Sequence, residues 1–142
     1  MDLSRRQFCV VLPALAATPS LDAQQVQTLP SKIYNFNEMP TRQIRTVLNR
    51  AIFEGKLYEG CEVSMHESDL APHSEPHPPH RHRHEEMVFV TGGQLEFTIN
   101  GSPTLAGTGS VLFAASNDLH GIRNPTAKHA TYFVLALGPG KD

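Results

Sequence analysis

Three histidines in alternation and a glutamate, His80, His82, His84 and Glu86, fall inside the run His80-Arg81-His82-Arg83-His84-Glu85-Glu86-Met87-Val88-Phe89-Val90-Thr91-Gly92-Gly93. On an extended strand successive side chains point to opposite faces, so a strand through this run puts those four on one side and Arg81, Arg83 and Glu85 on the other. Neutral imidazoles and a carboxylate gathered on one face suit a divalent first-row ion. They are too crowded and too polar for ordinary core filling. The first expectation is a metal site.

The elements that must position such a site read as short strands. Asp69 to Pro79 holds Pro72, Pro76, Pro78 and Pro79 and cannot donate a continuous ladder, so it is expected to be a loop that hands the chain to the histidine strand. Upstream, Thr41 to Phe53 reads either as a weak amphipathic helix or as one or two strands, and Cys61-Glu62-Val63-Ser64-Met65-His66 alternates as a half-buried strand. Downstream, the apolar run Met87 to Thr91 ends at Gly92-Gly93. Gln94 to Ile99 then alternates into Asn100-Gly101, a strong hairpin signal. Asp118 to Asn124 brings His120, Ile122 and Asn124 onto one face, and Thr131 to Leu137 is the last apolar strand. Many short strands with frequent turn signals and no convincing long helix predict an all-β sandwich or barrel.

The histidine run resembles the first motif of the cupin family, G-x5-H-x-H-x(3,4)-E-x6-G, through His80, His82, Glu86 and Gly93, with Ser74 where the family has its leading glycine. Only one register works, because starting at His82 and His84 puts Val88 or Phe89 at the glutamate position. The second motif, G-x5-P-x-G-x2-H-x3-N, is similar to Gly109, Ala115, Asn117, His120 and Asn124, with Ala115 for the proline and Asn117 for the glycine. Asn tolerates a left-handed backbone better than other non-glycine residues. Ala115 gives up a preset backbone angle. The resemblance implies a small jelly-roll barrel in which the two motifs face each other across the interior, so that His80, His82, Glu86 and His120 hold one divalent transition metal: Fe, Mn, Cu, Ni or Zn. It leaves His84 to a pocket-lining or supporting role, and it implies a single-domain chain of a kind that commonly pairs into homodimers.

Four protein ligands on an ion that prefers six positions leave about two open for water, dioxygen or a bidentate substrate. The expected function is therefore a metal-dependent, dioxygenase-like enzyme acting on a small organic molecule. A non-catalytic cupin that binds a small ligand, or stores or senses metal, is the alternative. Phe97, Phe113, Phe133, Met65 and Ile122 are the candidate apolar lining. No Ser-His-Asp or Cys-His arrangement with recognisable spacing emerges, and no phosphate-cradling glycine loop precedes a helix.

A chain of 142 residues with 39% apolar content supports one core, and a formal charge of −2 gives no basic footprint for nucleic acid. The 8 histidines are the compositional anomaly, because five of them lie between His73 and His84. His73 and His77 are expected to be solvated loop residues and His129 a surface residue. Residues 1–23 read as a removable targeting segment, since Ser4-Arg5-Arg6-Gln7-Phe8-Cys9 resembles the twin-arginine export motif and is followed by a short apolar stretch too brief to span a bilayer. That implies the twin-arginine export machinery as a partner, a periplasmic or secreted location, and no membrane anchor after processing. Residues 24–40 are expected to form an N-terminal arm, within which Lys32-Ile33-Tyr34-Asn35-Phe36 is expected as an edge strand or laid over a neighbouring subunit. Residues 41–138 form the cupin domain and 139–142 a tail. Cys61 is expected to be a small buried hydrophobe in a strand.

Overall fold

The computed structural model describes residues 28–139. The expected export segment and the last residues of the tail lie outside the described residues. Nine strands, numbered in chain order, form two antiparallel sheets. The larger runs β1 (Thr41–Ile44), β2 (Val47–Lys56), β3 (Glu62–Leu70), β9 (Ala130–Leu137), β4 (Glu85–Gly92), β7 (Val111–Ala114). The smaller runs β6 (Ser102–Gly107), β5 (Gln94–Ile99), β8 (His120–Arg123). The all-β architecture expected from the pattern is what forms, as the jelly roll that the resemblance implied.

The turns follow from residue chemistry. Between β5 and β6, Asn100 and Gly101 take φ of 48° and 86°, the consecutive positive values of the two-residue hairpin turn whose twist matches its strands. Gly93 has φ of 76°, and a Cβ there would lie 2.7 Å from the His129 carbonyl oxygen. Only glycine meets both conditions.

Directly opposed residues in a sheet share a face, so the strand registers sort the side chains. Across the larger sheet, Ser68, Tyr132 and Val90 face inward, as do His66, Val134, Val88 and Leu112, and Ser64, Ala136, Glu86 and Ala114. From the smaller sheet Leu95, Phe97 and Ile122 close on them, and with Leu70, Val88 and Val134 they make one buried core. The outward rows are also apolar: Met65, Leu135, Met87 and Phe113 line up across four strands. This places Met65 and Phe133 on the outer face and not in the lining expected from their type.

That outer face explains the N-terminal arm. The segment expected as an edge strand or a cover for a neighbour is irregular apart from a 3₁₀ turn at Phe36–Glu38, and it lies against its own chain. Leu29 donates its backbone N–H to Lys56 (2.8 Å), its side chain occupies the space over Gly55, and Tyr34 packs on Phe53 with centroids 5.6 Å apart. A cavity of about 420 Å³ remains between arm and sheet, walled by Leu29, Tyr34, Phe53, Leu57 and Leu135. Cys61 is exposed, contrary to expectation. It stands just before β3, outside the alternation that buries Val63.

Candidate metal centre

The run from His80 to Glu86 is not one strand. Pro78 and Pro79 deny it ladder donors, a bend at Arg83-His84 interrupts it, and β4 begins only at Glu85. The parity argument that put four donors on one face therefore does not hold, and their convergence has another cause. His80 forms an antiparallel bridge with His120: His80 N–H donates to His120 C=O (2.9 Å) and His120 N–H to His80 C=O (3.0 Å). Backbone pairing thus joins the two motif segments at their histidines.

A turn beside that bridge fixes the same junction. Asp118 N–H donates to Ala115 C=O (3.1 Å), which closes the turn without the preset angle of a proline. Asn117 takes φ of 63°, in the left-handed region that its side chain tolerates. Its N–H donates to His82 C=O (2.8 Å), and the Arg81 guanidinium donates to its carbonyl.

The imidazole donor atoms of His80, His82 and His120 meet at one place, and the Glu86 carboxylate stands beside two of them, His82 and His120. His82 Nδ1 lies 2.8 Å from His84 C=O and His120 Nδ1 lies 2.9 Å from Asp118 C=O. A carbonyl only accepts, so each Nδ1 carries the proton and each Nε2 presents a lone pair. Glu86, inward on β4, sets Oε2 at 3.5 Å from His82 Nε2 and Oε1 at 3.9 Å from His120 Nε2. His80 Nδ1, His82 Nε2 and His120 Nε2 are buried without a hydrogen-bond partner, and donor atoms of the three histidines lie within 4.8 Å of one another. Orphaned buried acceptors cost about 1–3 kcal/mol each, so lone pairs and a carboxylate aimed at one point call for a cation between them. The residues fit a divalent transition ion, and carbonyl-oriented imidazoles are the usual support for one.

Burial lowers the pKa of His80 to about 4 from 6.5, helped by His77, His120 and His82 and opposed by Glu86. The imidazole is therefore neutral and ready to ligate at neutral pH. Between 6.5 and about 4 the unfolded chain binds a proton at this residue that the native chain refuses, so native stability falls as pH drops through that window. Chelator-treated protein is expected to show a melting temperature that declines from about pH 6.5 to about pH 4, with a shallower decline in His80→Gln. Parallel slopes in the two proteins would remove His80 as the cause.

The other expected site residues are placed variously. Phe97 and Ile122 oppose each other across β5 and β8, both buried, with the Phe97 ring 6.2 Å from His120. Phe113 does not line the interior: it is 50% exposed on the outer face opposite Met87. His84 stacks on His82 with centroids 3.6 Å apart. His73 and His77 are exposed, although His77 sets its ring edge-on to His80 at 4.3 Å. His129 is exposed and meets Asp69 at 2.7 Å. Gly109, with φ of 89°, donates to Val90 C=O (2.8 Å) at the turn into β7. Asn124 is fully buried and bonds to the backbone, clamping the loop that leads to His80.

Sequence reasoning did not single out Tyr132, Ser68 or His66 as interior residues. Tyr132 is inward and buried, hydrogen-bonded to Ser68; burial raises its hydroxyl pKa to about 12, with the Glu86 charge adding to the shift. It is a neutral hydroxyl at physiological pH. Glu67 faces outward and pairs with Arg50 at 3.2 Å.

Comparison with known proteins agrees with this architecture. Residues 66–136 match the family model described as a cupin domain. No curated protein matches the chain. Among solved structures, an RmlC-like cupin from Shewanella frigidimarina NCIMB 400 is 17% identical with a TM-score of 0.64, over 77% of this chain and 93% of that one. KdgF from Halomonas sp. is 14% identical with a TM-score of 0.66, over 80% and 97%. A predicted oxalate decarboxylase from Thermotoga maritima is 16% identical with a TM-score of 0.65, over 76% and 100%. At these identities the structures speak for the fold alone. With the family model spanning both histidine segments, the chain belongs to the cupin family.

Proposed function

We propose that this chain is an exported, metal-dependent cupin enzyme that holds a divalent Fe, Mn, Cu, Ni or Zn ion through His80, His82, Glu86 and His120 and acts on a small organic molecule, with dioxygenase-like chemistry the favoured form. The observation that carries it is the convergence of three orphaned imidazole nitrogens on a buried point, with the Glu86 carboxylate 3.5 Å from His82 Nε2 and 3.9 Å from His120 Nε2. A bound ion with open positions supplies Lewis acidity and, if redox-active, access to dioxygen chemistry.

The chain's own residues shape what can approach. Glu86 stands in an inward row with Ser64, Ala136 and Ala114, all small, so the space beside the carboxylate is the roomiest part of that wall. Phe97, Ile122, Val88 and Val134 exclude water from the rest. Tyr132 keeps its proton at neutral pH and offers a hydroxyl rather than a base. That environment suits a compact, largely apolar molecule with a chelating end.

Export rests on Arg5-Arg6 and the apolar stretch after them, and N-terminal sequencing of envelope material checks it. Pairing into a homodimer is supported by the outer face of the larger sheet, where Val111 and Phe113 are 58% and 50% exposed on an edge strand. A monomeric mass by light scattering removes it.

The decisive experiment is elemental analysis of protein matured in its own host, followed by oxygen uptake with catechols, flavonoids and thiols. Near-stoichiometric iron or copper with uptake on one class is the expected result. The second reading, a non-catalytic cupin, is favoured by the interior Tyr132 hydroxyl being held protonated. A redox-inert ion with no turnover would decide for it.

A further inference from the structure

The interior offers more donors than one ion uses. Beside the trio His80, His82 and His120 there is a second, His82, His84 and Glu86, whose donor atoms also lie within 4.8 Å of one another. We propose that this second trio is an alternative ion position, so that the chain holds one divalent cation at either of two overlapping places. The inference rests on the reading of His80, His82, Glu86 and His120 as a metal centre.

The geometry carries it in three steps. His82 and His84 stack nearly parallel, 8° apart in plane and 3.6 Å between centroids. An ion about 2.1 Å from each of two imidazole nitrogens bridges donors up to about 4.2 Å apart; the in-plane lone pairs of parallel rings run side by side, so the His84 ring must turn out of the stack for both to reach one ion. The bond from His82 Nδ1 to the His84 carbonyl ties the two residues and leaves His82 Nε2 as the available lone pair, buried and unpartnered, 3.5 Å from Glu86 Oε2. That lone pair serves one ion at a time, which makes the positions alternatives and not a dinuclear pair.

The two positions differ in what must be folded to form them. The trio of His82, His84 and Glu86 comes from five consecutive residues and needs nothing from β8, whereas the trio with His120 requires the bridge between His80 and β8. The second position is therefore the place where an ion remains when the inner set is broken.

Co²⁺ titration of the metal-stripped full chain, followed by visible absorption and equilibrium dialysis, tests this in a double-variant cycle of His84→Ala and His120→Ala. The wild type is expected to bind one equivalent, and His84→Ala alone to weaken it less than about threefold. His120→Ala is expected to retain one equivalent about a hundredfold more weakly, and adding His84→Ala to it to cost at least about tenfold more. Circular dichroism monitors folding, and His80→Ala replaces His120→Ala as the background if the latter is unfolded. If His84→Ala has the same effect in both backgrounds, or none in either, the second position is overturned while the centre stands. A folded wild type that takes up no Co²⁺ overturns the centre and the second position together.

Discussion

Replacing His120 by alanine is expected to weaken retention of a divalent ion on the order of 10²- to 10³-fold. Four-ligand structural sites bind with about 10–16 kcal/mol, or about 3 kcal/mol per protein ligand, and each 1.4 kcal/mol is a factor of ten. The fold should survive, because the bridge between His80 and His120 is made by backbone groups on both sides. Loss of a side chain only 1% exposed leaves a cavity and lowers metal-free stability somewhat. The diagnostic is therefore the response to ion and not the melting temperature itself. At an ion concentration a hundred times the wild-type Kd, the wild type gains about 2.7 kcal/mol and a variant bound a hundredfold more weakly gains about 0.4 kcal/mol. Calorimetric titration and the ion-induced shift in melting temperature read the same difference by separate routes. Equal affinities in the two proteins would strike His120 from the ligand set.

Sequence spacing carried the outline of this site further than local geometry did. The two motif segments came together as the resemblance implied, and Asn117 adopted the left-handed backbone that a glycine position demands. The reasoning from strand parity failed, because prolines upstream and a bend at Arg83-His84 break the extended run. Long-range pairing of His80 with His120 does the work assigned to local alternation.

Side-chain facing failed for a different reason. Alternation tells which residues share a face, but names the inward face only when the other is polar. Here Met87, Phe89, Phe133 and Leu135 make the outward rows as apolar as the inward ones. Phe113 and Phe133 were thus assigned to the interior by type, and Tyr132, the interior hydroxyl, was passed over. The signal that would have found Tyr132 is the register that sets it opposite Ser68 and Val90, and register is not visible in one strand.

Asn124→Ala is expected to be the most destabilising single change, at about 2–4 kcal/mol, or on the order of 10 °C in melting temperature. The side chain has no exposure and makes no contact with the ion site, yet its amide donates toward Leu70 C=O (3.2 Å), Ala71 C=O (3.1 Å) and Lys128 C=O (2.7 Å). Its Oδ1 accepts from the Thr126 N–H (3.0 Å) and hydroxyl (2.9 Å). One residue thereby ties the end of β3 to the turn between β8 and β9, while its own N–H holds Ser74 C=O at 2.8 Å. Alanine leaves the buried Leu70 carbonyl and the part-buried Ala71 and Lys128 carbonyls without this donor, the expensive half of a lost hydrogen bond. Asn124→Asp keeps the acceptor toward Thr126 but turns an anionic oxygen on the carbonyls. It is expected to be no better than alanine at neutral pH and to recover relative to wild type on acidification, as the carboxyl protonates and donates. Since the clamp acts on the scaffold, Co²⁺ affinity of the molecules that remain folded should stay within about threefold of wild type. A melting temperature for Asn124→Ala within about 2 °C of wild type would show that the loop leading to His80 is held by something other than this amide.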